Sequence, residues 1–157
     1  MSRDALSTYL NDHLAGSVGA VELVERAIRE NEGDPFAERL SQVLQEIRED
    51  QAVLEGVIER VGGSQSALKK AGAWLAEKAG RVKLGGTDRP GELSRMEVLE
   101  MLAMGIHGKR ALWRALRTVA ARHAELQGLE LERLEQRAVE QHEEVEALRL
   151  EAAQAAL

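Results

Sequence analysis

The stretch from Pro35 to Val61 constrains the fold most, because apolar side chains recur along it at alternating steps of four and three residues. Seven of the eight positions at this spacing are apolar, which is typical of one long helix that packs against other helices. The eight positions are Phe36, Leu40, Val43, Ile47, Asp50, Leu54, Val57 and Val61. The aspartate near the middle is therefore predicted to be buried, where a carboxylate must be paired, protonated or bound to a metal.

The composition favours long helices and no sheet. Hydrophobic residues make up 44% of the 157 residues, but only 3% are aromatic. The two prolines, Pro35 and Pro90, leave long stretches uninterrupted, and no segment shows the alternation of a half-buried strand. The sequence therefore predicts an all-α protein with a single domain over residues 1–157.

Several classes of function are disfavoured by composition and charge. No run of about 18 apolar residues is present, so we expect no membrane span. The chain has no cysteine, which excludes disulfides and thiolate chemistry. Its net charge of −6 disfavours nucleic-acid binding, which needs a basic surface. The N-terminus lacks the apolar block of a signal peptide, and we expect a cytoplasmic protein.

Breaks in the apolar pattern divide the chain into four long helices. The clearest break runs from Asn31 to Pro35, where Gly33 suits a helix end, Asp34 an N-cap and Pro35 the first helical position. So short a connection predicts an antiparallel hairpin, and a weaker break at Gln127 predicts a second one. The predicted helices cover about 4–31, 35–61, 92–123 and 129–156.

The connection over residues 62–91 is long, rich in glycine and basic, and its middle predicts a short helix at about 66–79. A connection of this length can run along the whole bundle, which would make the second and third long helices parallel. Its basic residues, including Lys69, Lys70 and Lys83, are candidates for binding an anion.

Two local runs stand out, Tyr9-Leu10-Asn11-Asp12-His13-Leu14-Ala15-Gly16 and Gly105-Ile106-His107-Gly108-Lys109. Both resemble runs of small uncharacterised bacterial proteins in the ferritin-like superfamily. The resemblance implies a ferritin-like four-helix bundle, with two antiparallel hairpins joined by a long crossover that contains the short extra helix.

Each long helix carries polar residues near the middle of its apolar stripe. Antiparallel pairing brings these residues to similar heights, because a turn near residue 33 sets Asp50 opposite about residue 17. We therefore predict a central polar layer in which Asp50 is paired with Lys109 or Arg110. The predicted members are His13, Ser17, Asp50, Lys109, Arg110 and Gln141.

A ferritin-like di-iron site occupies the same level of the bundle and requires Glu-x-x-His pairs from two helices. This motif does not occur anywhere in the sequence. The alternative is a nonstandard site for iron, manganese or zinc built from His13, Asp50, Glu100 and His107. We favour the ion-paired layer and expect no cofactor.

Three aromatic residues and two glycines are expected to have packing roles only. Tyr9, Trp74 and Trp113 are expected to be packing residues, and Gly105 and Gly108 are expected to allow close approach of a neighbouring helix.

The leading hypothesis for function is a non-enzymatic bundle that acts as a structural or protein-interaction module, with a homodimer as the expected assembly. The first alternative is a metal-binding protein or oxidoreductase. The second is a binder of anionic ligands that uses the basic connection.

Overall fold

The computed structural model describes residues 3–62 and 91–157, and these residues contain four long α-helices and no strand. The helices are α1 (Arg3–Glu30), α2 (Pro35–Val61), α3 (Gly91–Val119) and α4 (Leu131–Ala156). This confirms the predicted all-α class and the four helices. No helix in the described part of the chain is long and apolar enough to span a membrane.

The start of α2 follows the predicted capping chemistry. The Asp34 side chain accepts a hydrogen bond of 2.8 Å from the backbone N–H of Phe36, and Pro35 occupies the first turn, where no N–H is needed. The preceding turn uses Gly33 at φ 85°, a left-handed conformation that costs glycine little. Together these residues reverse the chain between α1 and α2.

The end of α3 differs from the prediction, which continued the helix to His123. The α-helix stops at Val119 and is followed by two short 3₁₀ segments, Ala120–Arg122 and Ala124–Leu126. The Gln127 side chain donates a hydrogen bond of 3.0 Å to the backbone carbonyl of Ala120. Because this bond and the tighter 3₁₀ turns satisfy carbonyls at the helix end, the chain can turn earlier than the apolar pattern indicates.

Polar contacts of two arginines define the directions of the helices. Arg95, the fifth residue of α3, contacts Asn31 at 2.8 Å and Asp34 at 2.7 Å. At the opposite end, Arg60 of α2 donates to the backbone carbonyl of Gln127, at 3.4 Å. Therefore α2 and α3 begin at the same end and run parallel, whereas α1 and α4 run in the other direction.

The four helices share one apolar core. α1 packs against α2 and α3, and α4 packs against α3 and α2, so α2 and α3 face each other across the centre. Buried leucine, isoleucine and valine side chains from all four helices form this core, together with Trp113. The packing positions the middle of each helix at one level.

Several predictions concern residues outside the described ranges. These are the short helix at 66–79, the packing role of Trp74 and the candidate anion-binding residues Lys69, Lys70 and Lys83.

Candidate functional site

Asp50 and Gln141 are the two polar side chains that the structure buries in the core of the described residues, each 2% exposed. The Gln141 side-chain amide donates a hydrogen bond of 3.1 Å to Asp50 Oδ2. The same amide nitrogen lies 3.1 Å from Oε2 of Glu46, one turn before Asp50 on α2. These bonds join α2 to α4 through the centre of the bundle.

Lys109 supplies the positive charge at this point. Its ammonium group reaches from α3 and donates to Asp50 Oδ2 at 2.6 Å and to the side-chain oxygen of Gln141. Burial lowers the pKa of Lys109, because removal from water disfavours the charged form, and the neighbouring Asp50 carboxylate opposes this shift. Asp50 is therefore paired with a side chain of the protein.

Arg137 of α4 is a second cation beside Asp50 and was not among the residues predicted from the sequence. Its Nε lies 3.6 Å from Asp50 Oδ1, and its Nη2 lies 2.5 Å from Oε2 of Glu49. This contact lowers the pKa of Glu49, because the guanidinium favours the carboxylate form. Its spacing could have indicated this position, because Arg137 lies four residues before Gln141 and therefore on the same face of the helix.

We call these six residues the Asp50 network. They come from α2, α3 and α4, and they are Glu46, Glu49, Asp50, Lys109, Arg137 and Gln141.

Arg110 was predicted as one of two possible partners of Asp50, and the structure does not place it in the Asp50 network. Its buried Nε has no hydrogen-bond partner among the described residues. Since successive residues of an α-helix point about 100° apart, only one of two neighbours can reach the same carboxylate. Lys109 is the one that faces α2.

His13 and Ser17 lie on α1, at the level of the Asp50 network but in a different set of contacts. Ser17 accepts a hydrogen bond of 2.9 Å from the Gln51 side chain and donates one to the Leu14 carbonyl. His13 packs edge-on against Tyr9, with ring centroids 4.7 Å apart. Its partial burial lowers the pKa of His13, with Asp12 acting in the opposite direction.

Of the four residues of the alternative metal site, His13 and Asp50 both line one cavity between α1, α2 and α3, whereas Glu100 and His107 do not. Glu100 is exposed and pairs with Arg149 at 3.2 Å, while His107 is also exposed. Asp50 is occupied by Lys109. Within residues 3–62 and 91–157, no group of three or more histidine, aspartate or glutamate side chains is arranged to hold a metal ion.

A cavity of about 390 Å³ lies between α1, α2 and α3, with Asp50 and Lys109 in its wall. We call it the α1–α3 cavity. Its lining also includes the aromatic rings of Tyr9 and Trp113 and several core aliphatic side chains, which are Ile47, Leu54, Leu102, Ile106 and Leu112. The exposed lining residues Asp12, Gly16 and Gly105 mark its opening to solvent.

Glycines from two helices line this cavity. From the sequence, Gly105 and Gly108 are expected to allow close packing of a helix. A Cβ atom built on either residue, or on Gly16 of α1, would meet no atom within 4 Å. The expectation is therefore wrong, because no atom of a neighbouring helix approaches the Cβ positions of Gly105 and Gly108.

Trp113 belongs to the wall of the α1–α3 cavity. The residue is 1% exposed and belongs to the apolar core, in agreement with the expected packing role. Its indole N–H nevertheless has no hydrogen-bond partner in the described part of the chain. A buried N–H without a partner loses its hydrogen bond to water, which costs about 1–3 kcal/mol.

No protein-family model matches this chain, and neither a curated protein nor a solved structure shows a significant match to it. Membership of the ferritin-like superfamily therefore stays a prediction.

Proposed function

We propose that this protein is a non-enzymatic, ferritin-like four-helix bundle that acts as a structural or protein-interaction module. The observation that carries the proposal is the Lys109 ammonium group, held by Asp50 at 2.6 Å and by Gln141 at the middle of the bundle. Ferritin-like enzymes hold their metal pair at this level with carboxylates and imidazoles. A lysine in that position repels metal cations and occupies the carboxylate that would bind them.

The direction of the helices supports the ferritin-like assignment. Contacts of Arg95 with Asn31 and Asp34 show that α2 and α3 start at one end of the bundle. A bundle of two antiparallel hairpins with a parallel central pair requires a long crossover, and this is the arrangement of ferritin-like proteins.

The Asp50 network suits a structural role. A buried charge with specific partners on two other helices fixes the register of those helices, since any sliding would leave Asp50 or Lys109 unpaired. This specificity would keep the outer helix faces in a defined arrangement for a partner.

The expected partner is a second copy of the chain. The most exposed large apolar side chains within the described helices are Met101 and Met104 of α3 and Leu150 of α4, with Met104 74% exposed. Burial of these side chains in a homodimer would remove apolar surface from water.

Metal analysis tests the proposal directly. The protein would be produced with added iron, manganese and zinc, purified, and examined by elemental analysis and by thermal unfolding before and after chelation. We expect less than stoichiometric metal and an unchanged Tm. Stoichiometric metal that disappears in Asp50→Asn would contradict the proposal and support the alternative of a metal-binding protein or oxidoreductase.

Analytical ultracentrifugation tests the assembly. We expect a dimer for the wild type and a monomer for Met104→Glu combined with Leu150→Glu. The matched control, Ala52→Glu, changes an exposed position of α2 and should leave the dimer intact. A wild-type monomer at micromolar concentration would contradict the homodimer.

A further inference from the structure

The outer side of α3 carries one continuous row of exposed residues, which we call the α3 stripe. From Glu100 onward, every position at alternating steps of four and three residues is exposed as far as Thr118. The six positions are Glu100, Met104, His107, Ala111, Arg114 and Thr118. This spacing places them on one face of the helix, as in the seam along which two helices pack.

Met104 makes the centre of the α3 stripe apolar. Its side chain is 74% exposed, the largest exposed fraction of any large apolar side chain in the described helices. Ala111, seven residues later, is exposed as well and is small enough to leave room for a larger side chain beside it. Methionine is enriched at protein interfaces, and burying it there removes apolar surface from water.

The charges of α3 are separated along its length. Its first ten residues contain three carboxylates and one arginine, whereas residues 101–124 contain five cations and no carboxylate. Within the α3 stripe, Glu100 and Arg114 carry the two signs. Arg114 has no ion-pair partner among the described residues. Glu100 contacts Arg149 through Oε1, and its side chain stays 47% exposed, so its Oε2 can accept a second cation.

The positions of these charges favour one way of pairing two copies of α3. Glu100 and Arg114 lie seven residues before and seven residues after His107. If two α3 helices pack antiparallel about a two-fold axis at His107, each Glu100 faces Arg114 of the other copy, and each Met104 lies beside Ala111. Parallel packing would set like charges opposite each other, which is unfavourable.

We propose that two copies of this chain associate through the α3 stripe, with their α3 helices antiparallel and the two-fold axis at His107. This inference rests on the homodimer of the proposed function and adds the surface, the direction and the register of the contact. Both copies use the same surface, so the assembly closes at two chains. A contact of Arg114 with an acidic surface elsewhere on another copy would instead generate rings or open chains.

Reversal of single charges tests this register. Arg114→Glu and Glu100→Arg each turn both ion pairs of the dimer into repulsions, so each variant should raise the dimer Kd by at least about tenfold at low ionic strength. Sedimentation measures the Kd, and circular dichroism checks the fold. The matched controls are Arg29→Glu and Glu22→Arg, which reverse exposed charges of α1 outside the stripe and should dimerise as the wild type does.

A mixture of the two reversed variants gives a sharper test. Each variant alone has like charges at both contact points, but in a mixed dimer every glutamate faces an arginine. The equimolar mixture of Arg114→Glu and Glu100→Arg should therefore form a heterodimer with a Kd close to that of the wild type. If Arg114 contacted a different carboxylate, mixing would not restore the association.

Cross-linking locates the two-fold axis independently of charge. The natural chain has no cysteine, so a single introduced thiol reports one position. With a short bifunctional maleimide, His107→Cys should give a covalent dimer, because the axis brings the two thiols close together. Glu22→Cys, at an exposed position of α1, should remain uncoupled under the same conditions.

The outcomes distinguish this inference from the homodimer itself. A wild-type dimer that tolerates both charge reversals, or whose reversed variants do not associate on mixing, would overturn the α3 stripe and leave the homodimer in place. A dimeric His107→Cys variant that does not cross-link would do the same, and this measurement decides the question if a reversed variant does not fold. A wild type that stays monomeric at micromolar concentration would overturn both proposals.

Discussion

On its α4 side, Asp50 is surrounded by long polar side chains, whereas on its α1 side the bundle leaves a cavity whose wall is mainly glycine, aliphatic and aromatic, with His13 and Ser17 of α1 in it. Gln141 and Arg137 approach the carboxylate from α4 at 3.1 and 3.6 Å. Gly16 of α1 and Gly105 of α3 leave open space at the same level. Both sides depart from a plain apolar core, but in opposite ways. The Asp50 network holds the helices in one register through specific polar contacts. At the cavity, the same helices lack the close apolar contacts of a packed core.

The largest effect is expected from breaking the Asp50 network. Lys109→Met leaves the buried Asp50 carboxylate with Gln141 and the more distant Arg137, which should lower the free energy of unfolding by ~3 kcal/mol. Urea unfolding followed by circular dichroism measures this loss.

A triple variant distinguishes the loss of one partner of a buried charge from the removal of the charge together with its partners. Asp50→Leu, Lys109→Met and Gln141→Leu together remove the buried charge and its partners, and the free energy of unfolding should return to within about 1 kcal/mol of the wild type or exceed it. A single Lys109→Met variant as stable as the wild type would show that the network does not constrain the fold.

Adding a methyl group on the cavity side of Asp50 should change the free energy of unfolding by a smaller amount and should increase it. Gly108→Ala should raise the free energy of unfolding by about 0.5–1 kcal/mol, because alanine favours the helix and its methyl group meets no atom within 4 Å. Gly33→Ala is the contrasting variant, since φ 85° at this turn disfavours any side chain, and it should lose about 1 kcal/mol. A loss of stability in Gly108→Ala would mean that the cavity is needed for folding.

Ion pairs on the surface of the same α2–α4 seam should contribute less than the buried ones. Arg39 contacts Glu144 at 3.2 Å and Glu151 at 2.8 Å, and all three side chains are substantially exposed. Arg39→Gln should therefore cost only about 0.2–1 kcal/mol, and the difference should shrink in 1 M salt. A cost comparable to that of Lys109→Met would contradict this distinction between buried and exposed pairs.

The smallest expected effect is the pH dependence that His13, on the cavity side of Asp50, gives to the free energy of unfolding. Burial lowers the pKa of His13 below its usual 6.5, so the unfolded chain binds the proton more readily than the folded chain. Above about pH 7, the protonation of His13 therefore does not affect the free energy of unfolding. As the pH falls through the pKa of His13 in the unfolded chain, the free energy of unfolding decreases. The difference in unfolding free energy between wild type and His13→Gln, measured at pH 5 and pH 7.5, should show this decline. An unchanged difference would contradict it.

Much of the fold was predictable from local pattern. The four-three spacing of apolar residues defined the helices, and Gly33, Asp34 and Pro35 defined the first turn within a residue. Heptad phase also predicted Gln141 and Asp50 as buried polar positions, because a residue in the apolar stripe faces the core whatever its chemistry. The end of α3 was harder to predict from the sequence, because the Gln127 side chain bonds to a carbonyl seven residues earlier, at Ala120.

The sequence by itself determined that Asp50 would lie inside a helical bundle, since its position in the stripe depends only on helix geometry. Only the tertiary structure decided which cation it meets, because Lys109 and Arg110 are adjacent in sequence and Arg137 belongs to another helix. The tertiary structure also decided the meaning of the glycines. A glycine within a helix can allow close contact or leave open space, and at Gly105 and Gly108 the arrangement of the neighbouring helices, which no local pattern encodes, leaves open space.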